Sequence, residues 1–189
     1  MFRTITNSLR GFAQDTRGSV SVEFILAMPM VFWAFMGANV YFDGYRQSSV
    51  NLKAAYTISD LLSRETIEIN DTYVDSMFSL LQVLTRTNSV VEMRISVLSW
   101  DESDGVHHVD WSKSRSYGDP LTDASVALMA DKLPVMPDNE RVILVETRNI
   151  FVPIFNVGMT NKTLENFVFS RPRFAPQLVF DNNPPSKVF

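Results

Sequence analysis

Residues 19–42 read SVSVEFILAMPMVFWAFMGANVYF, a run with no Lys, Arg or Asp and with Glu23 as its single ionisable carboxylate. As an α-helix these residues extend about 36 Å, enough to cross a hydrocarbon core of ~30 Å with some tilt. A helix in the core of a water-soluble domain is expected to be shorter and to carry a polar face. The stretch is therefore read as a transmembrane helix over residues 19–42.

Its flanks give it a direction. Residues 1–18, MFRTITNSLRGFAQDTRG, carry Arg3, Arg10 and Arg17 against Asp15, a net +2. Beyond the span only Arg46 and Lys53 follow closely, with Asp43 beside them. Basic residues are retained on the cytoplasmic side, so the leader is expected inside and the rest of the chain outside. A secretory signal removed as a whole is disfavoured. The apolar run exceeds the ~7–15 residues of a signal core, and the nearest small-x-small site, Met36-Gly37-Ala38, opens on a large residue.

The averages of the chain now have a cause. Its 189 residues are 46% hydrophobic and 20% charged, with net charge -4, pI ≈ 5.2 and mean hydropathy +0.00. The hydropathy averages a lipid-soluble helix with an acidic remainder, since residues 43–189 hold 14 basic and 19 acidic side chains. Such a balance offers no phosphate-seeking excess, and no nucleic-acid partner is expected. With Cys 0 there is no disulfide framework, thiolate nucleophile or thiolate metal site.

The junction between leader and span carries the most specific signal. Gly18 precedes Ser19-Val20-Ser21-Val22-Glu23-Phe24, so a cut between Gly18 and Ser19 leaves Glu23 fifth in the mature chain. Glycine lets the backbone extend at the membrane face, where a helix would hide the peptide bond from a protease. A carboxylate in lipid costs roughly 2.5–3.5 kcal/mol at mid-span and less near the end, which calls for a partner. Pro29 is expected to kink the helix, and Ala34 and Ala38, with Gly37 beside them, provide a small surface for close helix contact.

Over residues 17–65 the chain resembles the TadE/TadF-like minor pseudopilins of the tight-adherence (Flp) pilus system. Arg17, Gly18, Val22, Glu23, Phe24 and Pro29 fit that pattern, with a weaker echo in Val109-Asp110-Trp111-Ser112 and Arg171-Pro172-Arg173. The resemblance implies a bacterial inner-membrane protein of a single pass, with its N-terminus cytoplasmic and its C-terminal domain periplasmic, able to enter a surface pilus. It also implies a processing site at Gly18 and Ser19 and helix contacts through Glu23, Phe24, Pro29, Ala34 and Ala38. The implied partners are a prepilin peptidase, other pilin-like subunits, an inner-membrane assembly platform and the lipid bilayer; no cofactor is implied.

Past the span, Val50, Ala54, Ile58 and Leu61 recur on one helical face, which predicts that the first helix continues to about Arg64. A second helix is expected over Thr72–Thr85, with Asp71 as its N-cap and Val74, Met77, Leu81 and Leu84 as its buried stripe. Val90–Trp100 and Val106–Ser112 read as a hairpin turning at Asp104-Gly105. A two-residue turn there sets Trp100 opposite Val109 and Leu98 opposite Trp111, all four on one face. Val91, Met93, Ile95 and Val97 stand in the other phase, so either both faces are buried or a bulge shifts the register. Ala124–Leu133 predicts a short helix stopped by Pro134, Val142–Val145 a central strand and Leu164–Ser170 a final strand. The expected class is α+β: a leader at 1–18, a transmembrane helix at 19–42, a periplasmic domain with an antiparallel sheet at 43–180 and a tail at 181–189.

Motifs for catalysis are missing from the sequence. His107 and His108 lie near Asp101, Glu102, Asp104 and Asp110, yet adjacent strand residues point to opposite faces and cannot chelate one ion together. The carboxylates also miss the EF-hand spacing, because with Gly105 at the sixth position the first ligand is Trp100. A nucleophile elbow, a phosphate-binding glycine loop and a His-Glu-x-x-His motif do not occur, so a non-enzymatic role without a metal is expected. The alternative to a pilus subunit is an uncleaved, signal-anchored periplasmic binding or sensory module.

Overall fold

The computed structural model describes Gly11, residues 19–85 and residues 89–182. The expected leader, including Arg17 and Gly18, lies outside the described residues apart from Gly11, as do residues 183–189 of the expected tail. The chain divides into two compact units. One holds the chain up to Asp43 together with Pro153–Met159, and the other holds Gly44–Val152 and the chain from Thr160 onward.

Helix α1 runs from Ser19 to Arg64 as 46 continuous residues and contains Pro29. Its first part is long and apolar enough to cross a membrane, and every residue from Val20 to Phe35 is exposed. A water-soluble fold would hide such a surface, so this pattern suits lipid as the solvent. The later part of α1 behaves in the opposite way. Ala54, Ile58 and Leu62 are fully or nearly fully buried, whereas Leu61 is half-buried, so the buried face centres one residue beyond the expected position.

Helix α2 covers Asp71–Thr85 and buries Val74 and Leu81, with Met77 and Leu84 packed at the margin of the same core. Its cap is Asn70 rather than the expected Asp71. The Asn70 side-chain carbonyl accepts the Tyr73 N–H at 3.0 Å, and the Asn70 backbone carbonyl accepts from Val74. Asp71 is thereby the first helical residue, where its charge favours the helix N-terminus and meets Arg115 at 3.1 Å.

Four antiparallel strands follow: β1 Val91–Asp101, β2 Val106–Arg115, β3 Arg141–Phe151 and β4 Lys162–Ser170, in the spatial order β2-β1-β3-β4. The hairpin register differs from the expected one, because Trp100 pairs with His107 and Leu98 with Val109. The turn takes four residues, Glu102–Gly105, since the Asp101 carboxylate accepts both the backbone N–H and the hydroxyl of Ser103 and the Asp101 carbonyl accepts the Gly105 N–H. Gly105 supplies the φ of +68° that this closure needs.

A bulge at Val97/Leu98 then shifts the pairing, with Val97 opposite Trp111 and Asp110 as the extra residue of β2. Trp111 consequently leaves the face shared by Leu98, Trp100 and Val109. Both alternatives raised by the phase of β1 hold together, because the bulge is present and both faces are covered. On one face Val91, Met93, Ile95, Val97, Ile143 and Val145 meet α1 and α2. On the other, Leu98, Val142 and Leu144 meet Leu121, Val126, Leu133 and Met136.

That second layer is smaller than expected. Helix α3 spans only Asp123–Ala127, started by a reciprocal Thr122/Ser125 capping box, and a separate 3-10 turn covers Ala130–Lys132. Leu133 is already extended, as a residue before proline prefers to be, and the break leaves Leu128 91% exposed. The chain after β4 returns to the first layer: Arg173 donates its N–H to the Ser63 carbonyl at 2.8 Å, while Ile69 donates its N–H to the Val179 carbonyl and accepts the Asp181 N–H, so that its two bonds flank Phe180. The ordered domain thus includes Asp181, which the sequence placed in a tail.

Candidate functional site

The span offers a surface. With ~100° between successive residues, Glu23, Ala34 and Ala38 fall within one narrow arc of α1, and Ala27, which the sequence reading passed over, falls between them. Phe24 projects on one flank of that arc and Pro29 on nearly the opposite side of the helix. All six side chains are exposed along the helix. The structure therefore brings Glu23, Ala34 and Ala38 together as one face and leaves Phe24 and Pro29 outside it. Ala27 was legible at its spacing of four from Glu23 and seven from Ala34. Such a face permits another helix to approach closely, and a carboxylate at its end favours a cationic partner in an apolar medium. Ser19 is the first residue of α1, and Gly18 lies outside the described residues.

The hairpin tip gathers titratable groups. Asp101, Asp104 and His108 bring potential ligand atoms within 4.8 Å of one another. The bonding around them favours a proton over an ion. His108 Nε2 faces Asp104 at 3.0 Å and Nδ1 faces Asp123 at 3.1 Å, an arrangement served by an imidazolium donating from both nitrogens. Asp123 also accepts the Val109 N–H at 2.8 Å, tying the start of α3 to β2. Ser99, across the ladder from His108, places its hydroxyl on Asp110 at 2.9 Å. The two histidines stand on opposite faces as expected, and His107 packs on Trp100 with ring centroids 4.5 Å apart.

Their proton affinities diverge for the same reason. Hydrogen bonds to Asp123 and Asp104 raise the His108 pKa above the ordinary 6.5, whereas burial lowers that of His107. Protonated His108 stabilises the fold below about pH 6.5, and that gain fades as pH rises through its higher folded value. His107 acts with the opposite sign, because the unfolded chain protonates it more readily and stability falls as pH drops. Imidazole proton NMR is expected to show two separated titrations, His108 above 6.5 and His107 below it. Coincident curves would contradict the bridging role of His108.

On the His107 side an open cavity of about 1000 Å³ is lined by Trp100, His107, Leu133, Met136 and Arg171, among others. His107 Nε2 is buried without a hydrogen-bond partner, as is Glu140 Oε2, while Glu140 Oε1 pairs with Arg171 at 2.8 Å. The lining, apolar apart from groups such as His107, Glu102, Asp131 and Arg171, can accommodate an apolar group that also carries a polar end. Arg171 and Arg173, singled out in the sequence, thus serve as ties within the domain, with Arg173 also reaching Asp60 at 3.4 Å.

Comparison of the chain with protein families, with curated proteins and with solved structures finds no match.

Proposed function

We propose that this chain is a minor pseudopilin, processed by a prepilin peptidase after Gly18, that takes part in assembling a tight-adherence (Flp) pilus used in surface attachment. The observation that carries the reading is one helix of 46 residues whose lipid-suited part bears a single carboxylate, Glu23, at one end of a small-residue face. Packing against other pilin-like helices gives that face its partner and Glu23 its counter-charge, the new amino group of a neighbouring subunit. In this reading the domain beyond Gly44 is periplasmic and the protein acts through assembly rather than catalysis.

The test is the amino terminus of the protein recovered from its native membrane. Intact mass and terminal sequencing are expected to find a chain beginning at Ser19, and Gly18→Val is expected to leave the leader attached. A native chain that retains Met1, or normal processing of Gly18→Val, overturns the reading. A second reading, an uncleaved anchored module that binds a small ligand, is favoured by the cavity beside Trp100 and His107. It expects Met1 to be retained and Trp100→Ala to abolish function.

A further inference from the structure

The connection between β3 and β4 is unusual in both length and chemistry. It runs for ten residues from Val152 to Asn161, whereas hairpin loops usually take ~2–5. From Asn149 to Asn161 the sequence NIFVPIFNVGMTN contains no charged residue. Its apolar side chains are not tucked away: Val152 is 57% exposed, Ile154 76% and Phe155 42%. Solvent-facing loops are built mainly from polar and turn-forming residues, so this tip requires a partner other than water.

Its place in the fold names that partner. Phe151, which ends β3, lies against α1, where a Cβ on Gly44 would sit 3.5 Å from the ring. The following Pro153–Met159 belongs to the same compact unit as α1 up to Asp43. Within that unit α1 is exposed as far as Phe35 and then becomes covered at Met36, Gly37 and Val40, the last only 3% exposed. These positions form one face. The same turns carry exposed Tyr41 and Phe42, followed by Asp43, the first ionisable group after Glu23 apart from Tyr41. Aromatic side chains at the end of an apolar span mark the level at which a helix leaves lipid.

We propose that residues 152–159 form a second membrane contact, an interfacial loop that seats Ile154 and Phe155 at the headgroup–acyl boundary of the leaflet from which α1 emerges. The proposal rests on reading the first part of α1 as a membrane span. Depth is limited by the backbone. Among the described backbone groups the loop has a bond from the Val157 N–H to the Phe155 carbonyl at 3.1 Å, and unpaired peptide groups are not tolerated in hydrocarbon. The boundary supplies water for those groups and acyl chains for the side chains. Held at two points, α1 cannot rotate freely about its own axis, which would fix the direction in which the Glu23 face looks.

The chain has no native cysteine, so single sites can be labelled with an environment-sensitive fluorophore in the full-length protein. Ile154→Cys, Phe32→Cys and Leu128→Cys would be compared in phosphatidylcholine/phosphatidylglycerol vesicles at high dilution, with nitroxides placed either near the headgroup end or near the methyl end of the acyl chains. The expected result is blue-shifted emission at 154 quenched mainly by the shallow nitroxide, at 32 quenched mainly by the deep one, and at 128 neither shifted nor quenched. Quenching at 32 without quenching at 154 overturns the loop proposal and leaves the span intact. No quenching at 32 overturns the span reading and the proposal with it. A blue shift at 154 that resists both nitroxides and disappears on further dilution assigns the loop to a protein contact and also overturns the proposal.

Discussion

Replacing Glu146 with alanine is expected to destabilise the domain by about 3–5 kcal/mol, a large share of the ~5–15 kcal/mol that holds an ordinary domain together. Glu146 sits in the central strand β3 with its side chain 5% exposed, and Arg94 of β1 grips it through two parallel bonds of 2.6 and 2.8 Å. The same guanidinium lies over the Tyr117 ring at 4.7 Å, and Arg148 lies over that ring at 4.6 Å. Without the carboxylate, Arg94 keeps a half-buried charge, its side chain 13% exposed, with a polar contact left to the Asp119 carbonyl at 3.0 Å. The cost is the stranded charge, not the bond alone. Urea unfolding of the detergent-solubilised protein, followed by tryptophan fluorescence, measures it. The double variant Arg94→Met, Glu146→Leu is expected to recover most of the loss, because an apolar pair does not have to be desolvated as ions. A loss below about 1 kcal/mol for Glu146→Ala would mean that the pair behaves as a solvated surface bridge.

The second large effect is functional. Glu23→Leu is expected to abolish assembly into a pilus or its precursor complex while membrane insertion and processing remain intact. Removing the carboxylate makes the span more apolar, so insertion can only improve by the roughly 2.5–3.5 kcal/mol scale of a charged group in lipid. A defect therefore cannot be attributed to failure to reach the membrane. Cross-linking of neighbouring subunits in intact cells, read beside the fraction recovered in membranes, separates the two quantities. Undiminished cross-linking and pilus display in Glu23→Leu would instead support the anchored binding module.

Much of the architecture could be read from periodicity. The boundaries of α1, the stripe of α2 and the existence of the four strands follow from apolar spacing, because one period suits a helix and another a strand. What periodicity could not reach was local side-chain bonding. The hairpin register depended on the Asp101 carboxylate engaging Ser103, and the cap of α2 on Asn70 outcompeting Asp71. In the same way, the truncation of α3 depended on Leu133 being drawn into an extended conformation before Pro134. β3 proved much longer than its apolar centre, Val142–Val145, because polar residues such as Glu146, Thr147 and Asn149 are buried with partners from other elements. At the candidate site, the sequence reading named Glu23 and the Ala34/Ala38 surface separately, although helical spacing puts them on one face. The loop at 152–159 escaped notice because its meaning lies in its exposure, and sequence does not report which apolar residues a fold leaves uncovered.

The return of the chain to Ile69 has a consequence for biogenesis. Phe180 and Leu178 complete the same cluster as Ile58 and Leu62, and Trp111 donates its indole N–H to the Leu178 carbonyl at 2.8 Å. Leu62 leaves the ribosome about 120 residues before Phe180, a delay of roughly 6–24 s at ordinary synthesis rates. Throughout that interval the cluster on the inner face of α1 lacks its last members. That cluster therefore closes late, and until then the nascent chain presents a partly covered apolar face that a holdase would be suited to shield.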